Sequence, residues 1–208
     1  MTTNKINYQL ELDKILREIT NAAEVPTLLL HSCCGPCSSY VLEYLTEYFK
    51  VKLLFYNPNI MPEDEYEHRL SEQKRLLMEM PFKNEVELIE CDYNSDEFLK
   101  IAKGLHNEPE GGSRCYRCYI MRLRKAAEYS LKLDCDFFTT TLSVSPYKNA
   151  QSLNEIGIAL SYEYNAKYLP ADFKKRNGYK RSIELSKQYS LYRQEYCGCI
   201  FSKNAENI

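Results

Sequence analysis

The chain has no tryptophan, only seven glycines in 208 residues, and almost no net charge. Twenty-seven basic against 29 acidic side chains leave −2, so a polycation that coats nucleic acid indiscriminately is excluded, and any such partner must be met locally. No apolar run approaches the roughly 18 residues that a bilayer-spanning helix needs, and no membrane partner is expected. The scarce glycines form no Walker-type phosphate loop, which leaves ATP-dependent activation without sequence support. Residues 1–19 lack the basic, apolar and small-residue succession of a secretory signal, so the expectation is a cytoplasmic protein. Repeats, low-complexity tracts and interdomain linkers are missing too. With 44% hydrophobic residues, one domain over residues 1–208 with a shared core is expected.

What the sequence does have is cysteine. Nine of 208 is about 4%, below the roughly 8–10% of small disulfide scaffolds, and an odd number cannot be fully paired. In a reducing compartment clustered thiols point to metal ligation or redox chemistry. Three sets are clustered: Cys33, Cys34 and Cys37; Cys115 and Cys118; Cys197 and Cys199. Cys91 and Cys135 stand alone and read as small buried hydrophobes.

Residue spacing supplies the scaffold. Tyr8, Leu12, Ile15, Leu16 and Ile19 recur at helical intervals. Residues 27–31 read as a buried strand whose exit loop carries Cys33, Cys34 and Cys37, and helical spacing resumes from Ser38 to Phe49. Residues 51–56 read as a second strand ended by Asn57-Pro58, residues 63–80 as a charged helix, 85–90 as a third strand and 96–103 as a short helix. Residues 115–133 form a longer helix with Tyr119, Ile120, Leu123, Ala126, Ala127 and Leu131 on one face. A strand at 136–141, a helix at 149–162 and a last short strand at 168–170 follow, with a frayed tail beyond Lys203. Strands alternating with crossover helices predict an α/β layered fold with a mainly parallel sheet. Ligands gather at the carboxyl ends of such strands. The exits at the cysteine cluster, at 57–59, at Cys91-Asp92 and at 139–145 are therefore expected to face one crevice.

Each thiol set admits more than one chemistry. Cys34-Gly35-Pro36-Cys37 has the placement of a thioredoxin-type pair, and a helix N-terminus favours the thiolate, so a dithiol oxidoreductase using Cys34 and Cys37 is one reading. The extra Cys33, the missing tryptophan and two further cysteine pairs weigh against it. The x₂ spacing of Cys115 and Cys118 at the start of a helix directs two thiolates at one ion or cluster. With Cys33 and Cys34 they make four soft ligands, suited to zinc or to iron–sulfur; a zinc-stabilised RNA-binding module is a further reading. Cys37, a fifth thiol, tilts the balance toward iron–sulfur because structural zinc is complete with four. Cys197-Gly198-Cys199 would close only a strained disulfide ring, of the labile kind, which suits a redox relay; two free thiols in a loop is the plainer alternative.

His31-Ser32-Cys33-Cys34-Gly35-Pro36-Cys37, Arg114-Cys115-x-x-Cys118 and Tyr192-Arg193-Gln194-x-Tyr196-Cys197-Gly198-Cys199 together resemble the QueH-type epoxyqueuosine reductase family, over residues 31–199. The resemblance implies the last step of queuosine synthesis: removal of the epoxide oxygen from epoxyqueuosine at the wobble position of tRNA. The route is cobalamin-independent and takes two electrons from a donor the sequence does not identify. The implied fold is like that of adenine-nucleotide alpha-hydrolase relatives, the HUP or PP-loop group. By position, Cys33, Cys34, Cys115 and Cys118 are implied ligands of a [4Fe–4S] cluster, Cys37 lies beside an adjacent mononuclear iron, and Cys197 with Cys199 forms a redox-active disulfide. Some relatives place an aspartate where this chain has Cys37. For tRNA, residues 173–181 hold Lys174, Lys175, Arg176, Lys180 and Arg181 with Phe173 and Tyr179 interleaved. That pattern suits phosphate contact plus base stacking, and a solvated charged loop is the other reading. A C-terminal segment at about 170–203 would then serve both redox and tRNA contact. Candidate proton donors are Asp92, Tyr196 and His31.

Overall fold

The computed structural model describes residues 6–205. Strand β1 (Thr27–Ser32) runs through the middle, paired in parallel with β2 (Lys50–Phe55) on one side and β4 (Phe137–Thr140) on the other. Strand β3 (Val86–Glu90) adds beyond β2, so the sheet order is β3-β2-β1-β4 and every pairing is parallel. The expected α/β fold with a parallel sheet is the one observed. Both faces of β1 are covered. Leu28 and Leu30 join Val51 and Leu53 in a core with α1 (Tyr8–Thr20) and α2 (Gly35–Leu45), whereas Leu29 and Leu54 face α5 (Ser113–Lys132) and α6 (Ala150–Tyr164). A strand buried on both sides needs an unbroken apolar run rather than alternation, which is why 28–30 is all leucine. Helices α3 (Glu63–Glu79), α4 (Ser95–Ala102), α7 (Gly178–Gln188) and α8 (Ile200–Ala205) complete the elements. Among the described residues no helix is long and apolar enough to cross a membrane.

Several boundaries differ from expectation for identifiable reasons. Helix α2 starts at Gly35, with Cys34 as its cap and Pro36 in the first turn, where a missing N–H costs nothing; Cys37 is therefore on the helix, not in the loop. Strand β4 is cut short because the Thr140 hydroxyl accepts from Leu142 N and caps a 3₁₀ turn over Thr141–Val144. The expected strand at 168–170 makes one parallel bridge, Tyr168 with Phe138. Beyond it the Asn154 amide stands in for a strand, donating to Ala171 O and accepting from Ala171 N, both at 2.9 Å. Helix α7 follows Arg176 and Asn177 at φ 53° and 62°, a left-handed entry that its polar sequence does not signal. The inward stripe of α5 ends on Ser130; Leu131, about 100° further round, is 50% exposed. The expectation for the tail falls largely outside the described residues.

Candidate active site

Strand β1 delivers Cys33, the α2 cap supplies Cys34, and the first turn of α2 supplies Cys37. Their sulfurs lie within 4.8 Å of one another, the one His, Cys, Asp or Glu group among the described residues spaced to hold a metal ion. The Cys33 and Cys34 sulfurs are 3.8 Å apart. Thr141 Oγ1 donates to Cys33 Sγ at 3.5 Å and Gln194 Nε2 to Cys34 Sγ at 3.1 Å. Contacts with Cys33, then with Cys37 and the Gln194 amide, hold the Cys34 thiol well below the ordinary thiol range. Its contact with Cys34 pushes Cys33 up to about 11, and Cys33, Cys34 and burial raise Cys37. By itself the trio favours one thiolate, at Cys34; a bound cation would draw out the others.

Cys115 and Cys118 are not part of that trio. They line a narrow cleft together with Cys197, Cys199, Arg122 and Lys148. Cys197, Arg122 and Lys148 also line a wider cavity of about 330 Å³ that holds Cys33 and Cys37. All the clustered sets except Cys34, which sits beneath Gln194, thus face two adjoining hollows divided by one thiol and two cations. Burial pushes Cys118 up to about 11, with Arg122 working against the rise. Cys115 Sγ accepts from Gly111 N at 3.3 Å.

All nine cysteines, Cys197 and Cys199 among them, are free thiols. The two sulfurs turn to different partners. Cys197 Sγ accepts from Lys148 Nζ at 3.0 Å, while Cys199 Sγ lies 3.5 Å from Ser202 Oγ. Between them Gly198 has φ 117°, and a Cβ there would lie 2.9 Å from Ile60 Cγ1 and 3.1 Å from Arg69 Nη1, so the C-x-C spacer must be glycine. Charged residues of α3 seat this segment. Arg69, 2% exposed, pairs with Glu65 at 2.7 Å and donates to Cys197 O and Tyr196 O. One turn on, Glu72 accepts from Tyr192 N and Arg75 donates to Tyr189 O and Ser190 O.

Arg122 is the residue that sequence reasoning missed. It is 2% exposed, its Nη1 reaches Asn57 Oδ1 at 3.4 Å, and its Nε has no partner. Burial opposes its charge, yet Cys118, Cys197 and Cys33 keep its pKa raised. Lys148 is similar: burial works against its charge, Cys197 and Tyr119 raise its pKa, and its Nζ donates to Glu110 Oε1 and Cys197 Sγ, both at 3.0 Å. An uncompensated buried cation costs several kcal/mol, roughly; Lys148 has Glu110, but Arg122 has thiols rather than a carboxylate for counter-charge among the described residues, which marks a site built to hold negative charge. Soft sulfur donors backed by buried cations fit a thiolate-ligated metal group, not a hard oxygen-loving cation. The available signal was spacing, since Arg122 lies four residues after Cys118 on the inward stripe of α5.

Other expectations change. His31 is fully buried; Tyr56 O accepts from its Nε2 at 3.1 Å and Thr140 Oγ1 donates to its Nδ1 at 2.9 Å. Burial and Arg122 push its pKa down to about 3, so it is a neutral structural histidine rather than a proton donor. Tyr196 faces the cavity, but its hydroxyl donates to Met61 O. The Cys91-Asp92 exit lines neither hollow, because β3 is the edge strand beyond β2; three exits converge, not four. Phe173 is 1% exposed within the core and is unavailable for stacking. Lys174, Arg176 and Arg181 are ion-paired with Asp172, Asp13 and Glu43, whereas Lys175 and Lys180 are exposed. Cys91 and Cys135 pack against the α5/α6 core, but each is half-buried rather than buried.

Comparison with known proteins bears on this arrangement. A solved structure of the U34-tRNA thiolase NcsA from Methanococcus maripaludis, with its [4Fe-4S] cluster, superposes with a TM-score of 0.54 at 14% identity. The match covers 93% of this chain and 67% of that one, and it shows a shared fold. The epoxyqueuosine reductase QueH of Staphylococcus epidermidis is 45% identical across 100% of this chain and 89% of its own length. That of Streptococcus pyogenes is 41% identical over 98% and 81%, and that of Thermotoga maritima 35% over 85% and 90%. The family model for epoxyqueuosine reductase QueH matches residues 28–205, and with that span and these identities the chain belongs to the QueH epoxyqueuosine reductase family.

Proposed function

We propose that this chain is an oxidoreductase that deoxygenates epoxyqueuosine to queuosine in tRNA, by a route needing no cobalamin. The observation that carries the reading is the close trio Cys33, Cys34 and Cys37 beside a buried arginine paired to no carboxylate among the described residues. Cys33 lines one hollow with Cys34 in contact behind it, and Cys115 and Cys118 line the next; four soft thiolates from these adjoining sets suit one [4Fe–4S] group. Cys37 is left over to hold a second, mononuclear iron. When bound, these groups supply single-electron transfer and a Lewis acid for the departing oxygen.

The chain's own residues do the rest. Arg122 and Lys148 balance the negative charge of the thiolates and of developing oxyanion character in the cavity. Cys197 and Cys199 store two electrons as dithiol and disulfide, with Arg69 and Gly198 fixing the first against the cavity wall. An external donor restores the dithiol. Lys175 and Lys180 offer phosphate contacts outside the cavity. A dithiol oxidoreductase of the thioredoxin kind is not favoured, because Cys34 is 1% exposed and shares its environment with two thiols rather than one.

Anaerobic iron and sulfide analysis combined with nucleoside mass spectrometry of treated tRNA tests the reading. The wild type should carry about four sulfides with more than four irons per chain and convert epoxyqueuosine to queuosine, and Cys118→Ala should lose both. A colourless protein that holds only zinc after reconstitution would sink it.

A further inference from the structure

The basic run at 173–181 contributes few free charges, so substrate RNA must be held elsewhere as well. The rim of the 330 Å³ cavity carries Tyr147, Tyr179 and Arg193. Tyr147 is 77% exposed, and its ring makes no stacking, cation–π or hydrogen-bonding contact among the described residues. A large aromatic standing free in water at the mouth of a cavity gains nothing for the fold. It sits directly before Lys148, whose ammonium lies in the cavity wall, so the same turn presents the ring outward and the cation inward. Tyr179 stands in the first turn of α7 and has no ring partner either. Arg193 is exposed, touches only Ser186 Oγ at 3.1 Å, and pairs with no carboxylate among the described residues.

We propose that Tyr147, Tyr179 and Arg193 form the docking surface for a single splayed-out nucleotide of the substrate RNA. The tyrosines stack on the base and Arg193 pairs with its phosphate, which aims the base's substituent down the cavity toward Cys37 and Cys197. The proposal rests on the RNA-modifying reading above and names the residues that recognise the RNA. The chemistry fits unstacked RNA rather than duplex, because base recognition in RNA works on nucleotides free to stack on aromatic rings. Glu195 shares the rim, so the local field is not uniformly positive. Affinity therefore comes from stacking plus one charge contact, which matches a chain of net charge −2.

Fluorescence anisotropy with a labelled anticodon stem-loop RNA, guanosine at its wobble position, tests this alongside steady-state kinetics on tRNA. Tyr147→Ala should weaken binding by about ten-fold, within the range measured for stacked bases, and the loss should fall on KM rather than kcat. Tyr147→Phe keeps the ring and should restore the affinity. Arg193→Gln should lower the slope of log affinity against log salt by about 0.7. If Tyr147→Ala binds RNA as the wild type does and its KM is unmoved, the docking surface is wrong, even in an enzyme that reduces epoxyqueuosine. If the variants behave as stated but the loaded wild type leaves epoxyqueuosine intact, the surface stands and the reductase assignment fails.

Discussion

A guanidinium that is 2% exposed with no carboxylate partner among the described residues would in most interiors be improved upon by a hydrophobic side chain of similar volume. Arg122 is kept because its partners are sulfurs that carry charge once they ligate. Two effects should therefore separate in Arg122→Met. Metal-free protein should be as stable as wild type or more so, by up to roughly 3 kcal/mol in urea unfolding, while retained iron per chain falls several-fold. A metal-free variant less stable than wild type by that amount would make Arg122 a structural residue. At this scale the sequence was informative about thiols and poor about their counter-charges. A C-x₂-C pair advertises itself by repetition, whereas one arginine among the many cations of α5 is distinguished only by the side of the helix it occupies. For His31 the sequence leaves a proton donor and a satisfied structural histidine both open, and the engagement of both ring nitrogens favours the structural one.

Helix α3 looks like a solvated charged helix, and strand and helix periodicity cannot say otherwise. Glu65, Arg69, Glu72 and Arg75 recur every three or four residues, and the structure shows that this face binds the backbone of 189–197. Such contacts carry no hydrophobic pattern, because one partner is main chain and the other is polar. Arg69 is the most buried member, and truncating one partner of a buried pair is expensive. Arg69→Ala should cost about 3 kcal/mol of stability. It should also strip hydrogen-exchange protection from the Met61 amide, which donates to Gly198 O at 2.9 Å; normal protection there would show that the segment is seated without α3. The four strands, by contrast, were legible to within a residue or two: β1 and β2 announce themselves as short apolar runs, and the edge strand β3 by its alternation. Helix α7 was not, because left-handed residues and a polar composition hide its start.

Taken as a whole, the molecule concentrates its chemistry where β1, β2 and β4 end, at the point where the strand order turns back on itself between β1 and β4. Its net charge is only −2, and among the described residues the cations of the 173–181 run and of the cavity rim that have no ion pair are Lys175, Lys180 and Arg193. Single-stranded contacts each change the logarithmic salt slope by about 0.7, so anticodon stem-loop binding should show a slope of about −2. A slope near that of a protein with ten phosphate contacts would reveal a basic face that this fold does not display. The seating of Cys197 on α3 also has a consequence for biosynthesis. On the ribosome Cys33, Cys34 and Cys37 emerge before the wall that carries Cys197 and Gln194, the latter 160 residues after Cys34, and they can form their trio as soon as β1 and α2 associate. Until that later segment is made and seats on α3, the trio lacks the wall that covers it.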